Sequence, residues 1–312
     1  TRHFALVALA SLMAFGCQQV NVDSTPSAAN AARSGPLEVT ATTGMIADVA
    51  RQIVGAQVNV TGLMGPGVDP HLYKATQSDL DKLRDADVIL YNGLYLEGRM
   101  ADILVRLAAR VPTVQVTDTI PEADLMQPPA LDGHYDPHVW FDVSLWMQVA
   151  ERIRDTFIEL DPDHASAYTA NAATYLEEMA AMHAYARKQI AQIPEAGRLL
   201  ITAHDAFSYF GAAYGLDVMG LQGISTASEF GLQDLERLID VIVEREVKAV
   251  FVETSIPRKS IEALVEGVRA RGHDIEVGGA LYSDAMGEPG SGADTYLGMV
   301  RHNVDTIVEA LQ

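Results

Sequence analysis

Residues 37–64 read LEVTATTGMIADVARQIVGAQVNVTGLM, and this stretch decides the fold class. LEVTATT (37–43) is rich in β-branched residues and reads as a strand. GMIADVARQIVG carries apolar side chains at helical spacing, and VNVTGLM (58–64) is a second strand. The alternation continues outward. TQSDLDKLRDA is a helix with Leu80 and Leu83 on one face, and DVILYNG (87–93) is a third strand. EGRMADILVRLAAR is the next helix and TVQVTD (113–118) a fourth strand. Strands separated by helices imply a parallel sheet with crossover connections.

The pattern then changes. From Pro162 to Ile193 the chain has no Gly and no further Pro. Tyr168, Ala172, Tyr175, Met179, Met182 and Ala186 recur at spacings of three and four, one continuous apolar stripe. A rod over this whole stretch would span about 48 Å at 1.5 Å per residue. Asp161 is expected to cap it, with Pro162 in its first turn. Beyond Pro194 and Gly197 the alternation resumes. RLLITAH (198–204), LDVMGLQ (216–222), VKAVFVE (247–253) and IEVGGALYSD (275–284) read as strands. DAFSYFGAAYG, GLQDLERLIDVIVERE and PRKSIEALVEGVRARG are the helices between them, and a last helix covers about 294–311. The expected fold is therefore α/β, with two pseudo-symmetric lobes, each a four-stranded mostly parallel sheet with helices, linked by one long backbone helix. The expected boundaries are 37–160 for the first lobe, 161–194 for the linker helix and 195–312 for the second lobe.

Ahead of Leu37 stand two other segments. Residues 4–16, FALVALASLMAFG, follow Arg2 and His3 and have the length of a secretory signal core rather than a membrane span. They end at Gly16-Cys17, as a bacterial lipoprotein signal does, so 1–17 is expected to be a signal peptide of lipoprotein type. Residues 18–36 are polar and rich in Ala, Ser and Pro, and read as a flexible tether. The expected location is extracytoplasmic, in the periplasm or at the cell surface, with a lipid anchor at Cys17. Composition narrows the partners. The chain has 22 basic and 42 acidic residues, a formal charge of −20, which repels phosphate backbones and anionic lipid. No nucleic-acid partner is expected. The single Cys excludes an intrachain disulfide and a Cys-based zinc site.

Four segments that follow strands carry unusual side chains. GPGVDPHLY (65–73) presents His71, DPHVWFD (136–142) presents His138, TAHDAF (202–207) presents His204 and LYSDAMG (281–287) presents Asp284. In open parallel sheets, ligands bind beyond the carboxyl ends of the strands. Three imidazoles and one carboxylate suit Zn²⁺ or a related divalent ion. The plainer reading of Asp-Pro-His is turn chemistry, with Asp69 and Asp136 accepting backbone N–H groups. Asp142, Asp205 and Glu253 read as caps or as carboxylates that orient an imidazole rather than as ligands, though Glu253 ends a strand and stays a candidate ligand. His3, His134, His164, His183, His273 and His302 have no assigned role.

Taken together, GPGVDPHLY, DPHVWFD, TAHDAFSYF, GLQGIST, VFVETSIP and LYSDAMG resemble the TroA-like, or cluster A-I, solute-binding proteins of zinc and manganese ABC transporters. The resemblance runs in order through residues 37–312. It implies two α/β lobes bridged by a rigid helix and one metal ion bound between them. It implies His71, His138, His204 and Asp284 as the ligands, and delivery of the ion to an ABC transporter membrane permease. In manganese-dedicated members the position of His204 is typically Glu. Zinc-dedicated members often carry a His-rich loop before the second motif, where this chain has only His134 besides His138. The transported ion is thus expected to be Zn²⁺ or Mn²⁺, ahead of Fe²⁺. A bidentate Asp284 would raise the coordination to about five, which Mn²⁺ tolerates, while imidazoles favour Zn²⁺. Capture needs neutral imidazoles and is expected to weaken as pH falls toward about 6. A monomer without enzymatic activity is expected.

The alternative is a metal-dependent hydrolase using the same three His and Asp, with the ion activating water. A surface adhesion protein has no repeat or apolar signature to support it. A receptor for an organic solute would need an aromatic-lined cleft, and aromatic residues make up only 7% of the chain.

Overall fold

The computed structural model describes Thr1 and residues 35–312. The signal-like run 4–16, Cys17 and most of the tether expected over 18–36 lie outside the described residues. Among the described residues, no helix is long and apolar enough to cross a membrane.

The first half holds β1 (Leu37–Ala41), α1 (Gly44–Val54), β2 (Val58–Gly62), α2 (Gln77–Asp85), β3 (Val88–Tyr91), α3 (Ala101–Leu107) and β4 (Thr113–Gln115). The strands pair in the order β2-β1-β3-β4, every pair parallel. Local sequence explains the starts. Thr76 and Asp79 form a reciprocal capping box at α2, closing two backbone donors that the helix cannot use itself. Leu83 on that helix is fully buried, and Leu80 packs beside it.

The chain then adds a helix that the strand–helix alternation had not marked out, α4 (Val143–Leu160). Asp142 caps it through the Ser144 N–H. Trp146, Val149, Ile153 and Phe157 give it a buried face at helical spacing. The rod that follows is shorter than its Gly-free stretch suggests. Pro162–His164 form a separate 3-10 turn, and the α-helix α5 covers Ala165–Ile190, 26 residues or about 39 Å. Asp161 does not cap it. Its carboxylate instead accepts from His164 Nδ1 and the Tyr168 hydroxyl, both at 2.7 Å. The stripe itself is as expected: Tyr168, Ala172, Tyr175, Met179, Met182 and Ala186 are all buried.

The second half holds β5 (Leu199–His204), α6 (Ser208–Tyr214), β6 (Asp217–Gln222), α7 (Leu232–Glu244), β7 (Ala249–Glu253), α8 (Lys259–Ala270), β8 (Glu276–Leu281) and α9 (Tyr296–Leu311). Here the expected four-stranded sheet is two parallel pairs, β5-β6 and β7-β8, with β5 lying beside β7. The lateral order repeats that of the first half. At the β5–β7 seam, the His204 N–H goes to the Glu253 carboxylate at 2.8 Å instead of to a strand carbonyl.

The halves share one hydrophobic core. It joins Val39 and Leu90 of the first sheet to Leu200, Phe251 and Leu281 of the second half through α1, α4, α5 and α9. Asp48 sits in this core, 5% exposed. It accepts from the Tyr296 N–H at 2.9 Å, from the Tyr175 hydroxyl and from Gln52. One carboxylate of α1 thereby ties α5 and the start of α9. Asp48→Ala leaves these buried donors unpaired and is expected to lower stability by about 1–3 kcal/mol, whereas Asp48→Asn keeps an acceptor and should cost less; urea unfolding of both variants checks the order.

Candidate metal centre

All strands are parallel, so their carboxyl ends in each half face the same way, and each half brings two of the expected residues to that end. His71 lies in the β2–α2 connection and His138 in the long segment between β4 and α4. His204 is the last residue of β5, and Asp284 follows β8. The four meet. One donor atom of each lies within 4.8 Å of the others. His71 is 4% exposed, Asp284 2%, and His138 and His204 are fully buried.

Asp284 presents its two oxygens to different imidazoles. Oδ1 is 3.4 Å from His138 Nε2. Oδ2 is 3.3 Å from His204 Nε2 and 3.9 Å from His71 Nε2. His71 Nε2 and His138 Nε2 are 3.3 Å apart. Bonds of about 2.0 Å around a tetrahedral Zn²⁺ place donors about 3.3 Å from one another. Both Asp284 oxygens and His204 Nε2 are buried with no hydrogen-bond partner among the described residues. Buried polar atoms are almost always satisfied. Orphaned donors converging on one point at coordination spacing fit a divalent cation.

The surroundings orient the rings. His138 Nδ1 and its backbone N–H both engage Asp136 Oδ1, at 2.7 and 2.9 Å. The loop is held by Asn92, which donates to the Pro137 carbonyl, and by Tyr209, which donates to that of Asp136. His204 Nδ1 pairs with Glu253 Oε2 at 2.5 Å. A carboxylate on Nδ1 leaves Nε2 as the donor toward the centre. His71 is held differently. Asp69 uses Oδ1 for the His71 N–H and Oδ2 for the Thr226 hydroxyl, at 2.9 and 2.6 Å. The second of these bonds joins the two halves above the site. β6 comes so close to β5 that a Cβ on Gly220 would overlap the backbone of His204 and Asp205.

Burial pushes the His71 imidazole down to about 3. Burial opposes charge on His138 as well, but Asp136 and Asp284 outweigh it and carry that ring up to about 9. Burial likewise disfavours charge on His204, and Glu253 and Asp284 overcome it, lifting the ring well above its usual range. Asp284 would be raised by burial, yet His204 and His138 hold it well below the usual carboxylate range. His138 and His204 thus favour positive charge and His71 does not, so the carboxylates draw a proton or a cation toward two of the three rings.

The residues outside this set have other work. Asp142 caps α4, and Asp205 accepts from the Ser208 hydroxyl. His134 packs against Tyr95 with the rings tilted at 43° and their centroids 4.5 Å apart. His164 binds Asp161, His183 contacts Tyr214, and His273 and His302 engage backbone carbonyls. His3 lies outside the described residues. The turn reading of Asp69 and Asp136 is correct and coexists with the cluster. What sequence reasoning missed is that Asp136 also reaches its imidazole, and that Thr226 closes onto Asp69. The Asp-Pro-His spacing was the available signal for the first, and nothing local signals the second.

The model of the family "ZnuA: Zinc-uptake complex component A periplasmic" matches residues 39–310. The chain belongs to this family. It is 51% identical over 277 residues to a protein named manganese-binding lipoprotein MntA from Bacillus subtilis, covering 88% of this chain and 90% of that one. It is 46% identical over 281 residues to one named zinc-binding protein TroA from Treponema pallidum, covering 90% of each. Among solved structures, the periplasmic zinc-binding protein TroA from Treponema pallidum superposes with a TM-score of 0.86 at 45% identity, over 89% of this chain and 99% of that chain. The likeness to a TroA-type fold stated from the motifs is borne out, including its extent along the chain.

Because Glu253 fixes both the backbone and the ring of His204, Glu253→Ala is expected to weaken Zn²⁺ binding about 10–100-fold with the other three donors intact; competition against a chelator dye gives the measurement.

Proposed function

We propose that this chain is the extracytoplasmic receptor of an ABC uptake system. It captures one divalent transition metal, Zn²⁺ or Mn²⁺, between its halves and hands it to the membrane permease. The observation that carries this reading is the enclosed set of His71, His138, His204 and Asp284 with its orphaned donor atoms. The ion is cargo, and the chain's work is capture, enclosure and release. Residues 37–160 and 195–312 act as the two lobes, with 161–194 between them. The core shared through α5 argues for small lobe movements.

Site chemistry accommodates both ions. Three imidazoles favour Zn²⁺ in affinity, while the two Asp284 oxygens, each facing a different imidazole, permit a fifth donor that suits Mn²⁺. The manganese-binding and zinc-binding names of the two relatives fit this breadth. Cys17 is proposed as the lipid anchor and residues 18–36 as the tether, in keeping with the lipoprotein name of the Bacillus relative. Tethering beside the permease raises the effective concentration of the receptor. A monomer is the proposed working state.

Hydrolysis gains no support from the geometry. The four donors are at most 4% exposed, which leaves no open face for a substrate. Glu253 and Asp136, two nearby carboxylates, each hold the Nδ1 of an imidazole, which is the work of orienting a donor.

After metal removal, addition of Zn²⁺ or Mn²⁺ is expected to raise the thermal midpoint. A hundredfold excess over Kd corresponds to about 2.7 kcal/mol. A midpoint that neither ion moves would end the proposal, as would esterase or phosphatase turnover that depends on Asp284. His204→Ala should cost at least about tenfold in Zn²⁺ affinity, and His134→Ala should leave it unchanged. Isothermal titration of both variants decides, and equal losses would mean that the third donor is misplaced.

A further inference from the structure

The two oxygens of Asp284 have no hydrogen bond among the described residues. Apart from the imidazoles that face it, the carboxylate is therefore placed by the backbone on either side. The Ser283 hydroxyl meets that of Ser255 at 2.9 Å, and two side chains grip the backbone itself. Asn303 of α9 clamps Tyr282, accepting from its N–H at 2.9 Å and donating to its carbonyl at 2.7 Å. Both partners belong to the second half. The next residue, Ser283, is fully buried, and its carbonyl accepts from the indole Nε1–H of Trp140 at 3.1 Å. Trp140 comes from the first half, two residues beyond His138.

Trp140 is itself fixed on three sides. It is fully buried, its ring lies edge-on to His138 at 5.2 Å, and its carbonyl accepts from the Tyr296 hydroxyl at 2.8 Å. Tyr296 is the first residue of α9, and its N–H is held by Asp48. One side chain thus touches the ring of a first-half donor and grips the peptide that carries the second-half donor.

We propose that Trp140 is a positioning residue for the metal site: its indole N–H sets the Asp284 carboxylate in register with His138 before the ion arrives. The inference rests on the four-donor reading of the site. Simple core packing is the competing explanation, and the molecule contains its own control. Trp146 is equally buried, and its ring lies 6.3 Å from that of Trp140. Its Nε1 has no hydrogen-bond partner among the described residues. Replacing Trp146 removes packing alone, whereas replacing Trp140 by Phe keeps an aromatic ring and removes the bond across the halves.

The test uses the full chain and Co²⁺ as the probe, because its d–d absorption reports coordination geometry while competition reports affinity. Trp140→Phe is expected to bind Co²⁺ about tenfold more weakly and to shift the d–d bands. Trp146→Phe, with its own loss in thermal midpoint, is expected to keep wild-type bands and affinity. Tyr296→Phe frees the Trp140 carbonyl with the indole still in place and should shift the same bands in the same direction, by less. This variant decides should Trp140→Phe not fold. Wild-type bands and affinity in Trp140→Phe, or in Tyr296→Phe where it must decide, overturn the proposal, and so does a Trp146→Phe spectrum that reproduces the change. Wild-type protein with no d–d bands would instead remove the four-donor reading on which the proposal rests.

Discussion

The carboxylate of Asp284 is buried without a hydrogen bond among the described residues, and three imidazole nitrogens stand 3.3–3.9 Å from it. A buried carboxylate is costly unless opposite charge compensates it. In this site the compensation comes from protonated imidazoles or from a cation, and the neighbouring groups favour either. Glu253 and Asp136 pull positive charge onto His204 and His138, while His71 is driven toward neutrality by burial. A neutral His71 is already in the state that a metal requires.

Donors from two halves can converge to this tolerance only if the halves keep their register. The fold supplies that in layers. The lateral strand order of the first half recurs in the second, so both halves aim their strand ends in an equivalent way. α5 packs on α1, α4 and α9, and a single hydrophobic core passes between the halves. Polar bonds then cross where packing alone would allow sliding: Asp48 to Tyr296, Thr226 to Asp69 and Trp140 to Ser283. Each has a partner in either half, and the last two end beside a residue of the candidate site.

Much of this was legible in one dimension, and most of what was not has a physical cause. The β-α-β alternation in 37–118 and 198–284 is a local signal, because strand and helix periods differ. The buried stripe from Tyr168 to Ala186 was legible for the same reason. The rod's length was not, because a Gly-free stretch says where a helix can form. It does not say where a 3-10 turn takes over, as it does at Pro162–His164. The helix after Asp142 had a readable period in Trp146, Val149, Ile153 and Phe157. That the second half forms two pairs was not legible either: at the end of the seam a Glu253 side chain takes the N–H of His204, a contact between residues 49 positions apart.

The sequence by itself determined the alternating architecture, the linker stripe and the four side chains of the candidate site, because secondary-structure period and donor chemistry are properties of residues and their near neighbours. Tertiary structure alone decided how identical motifs are used. Asp69 and Asp136 stand in the same Asp-Pro-His turn, yet Asp136 grips its own imidazole, while Asp69 reaches Thr226 across the halves. It also decided that Trp140 has an acceptor and Trp146 has none among the described residues. Hydrogen-bond partners more than a hundred residues away are set by how the halves pack, and no local pattern encodes that packing.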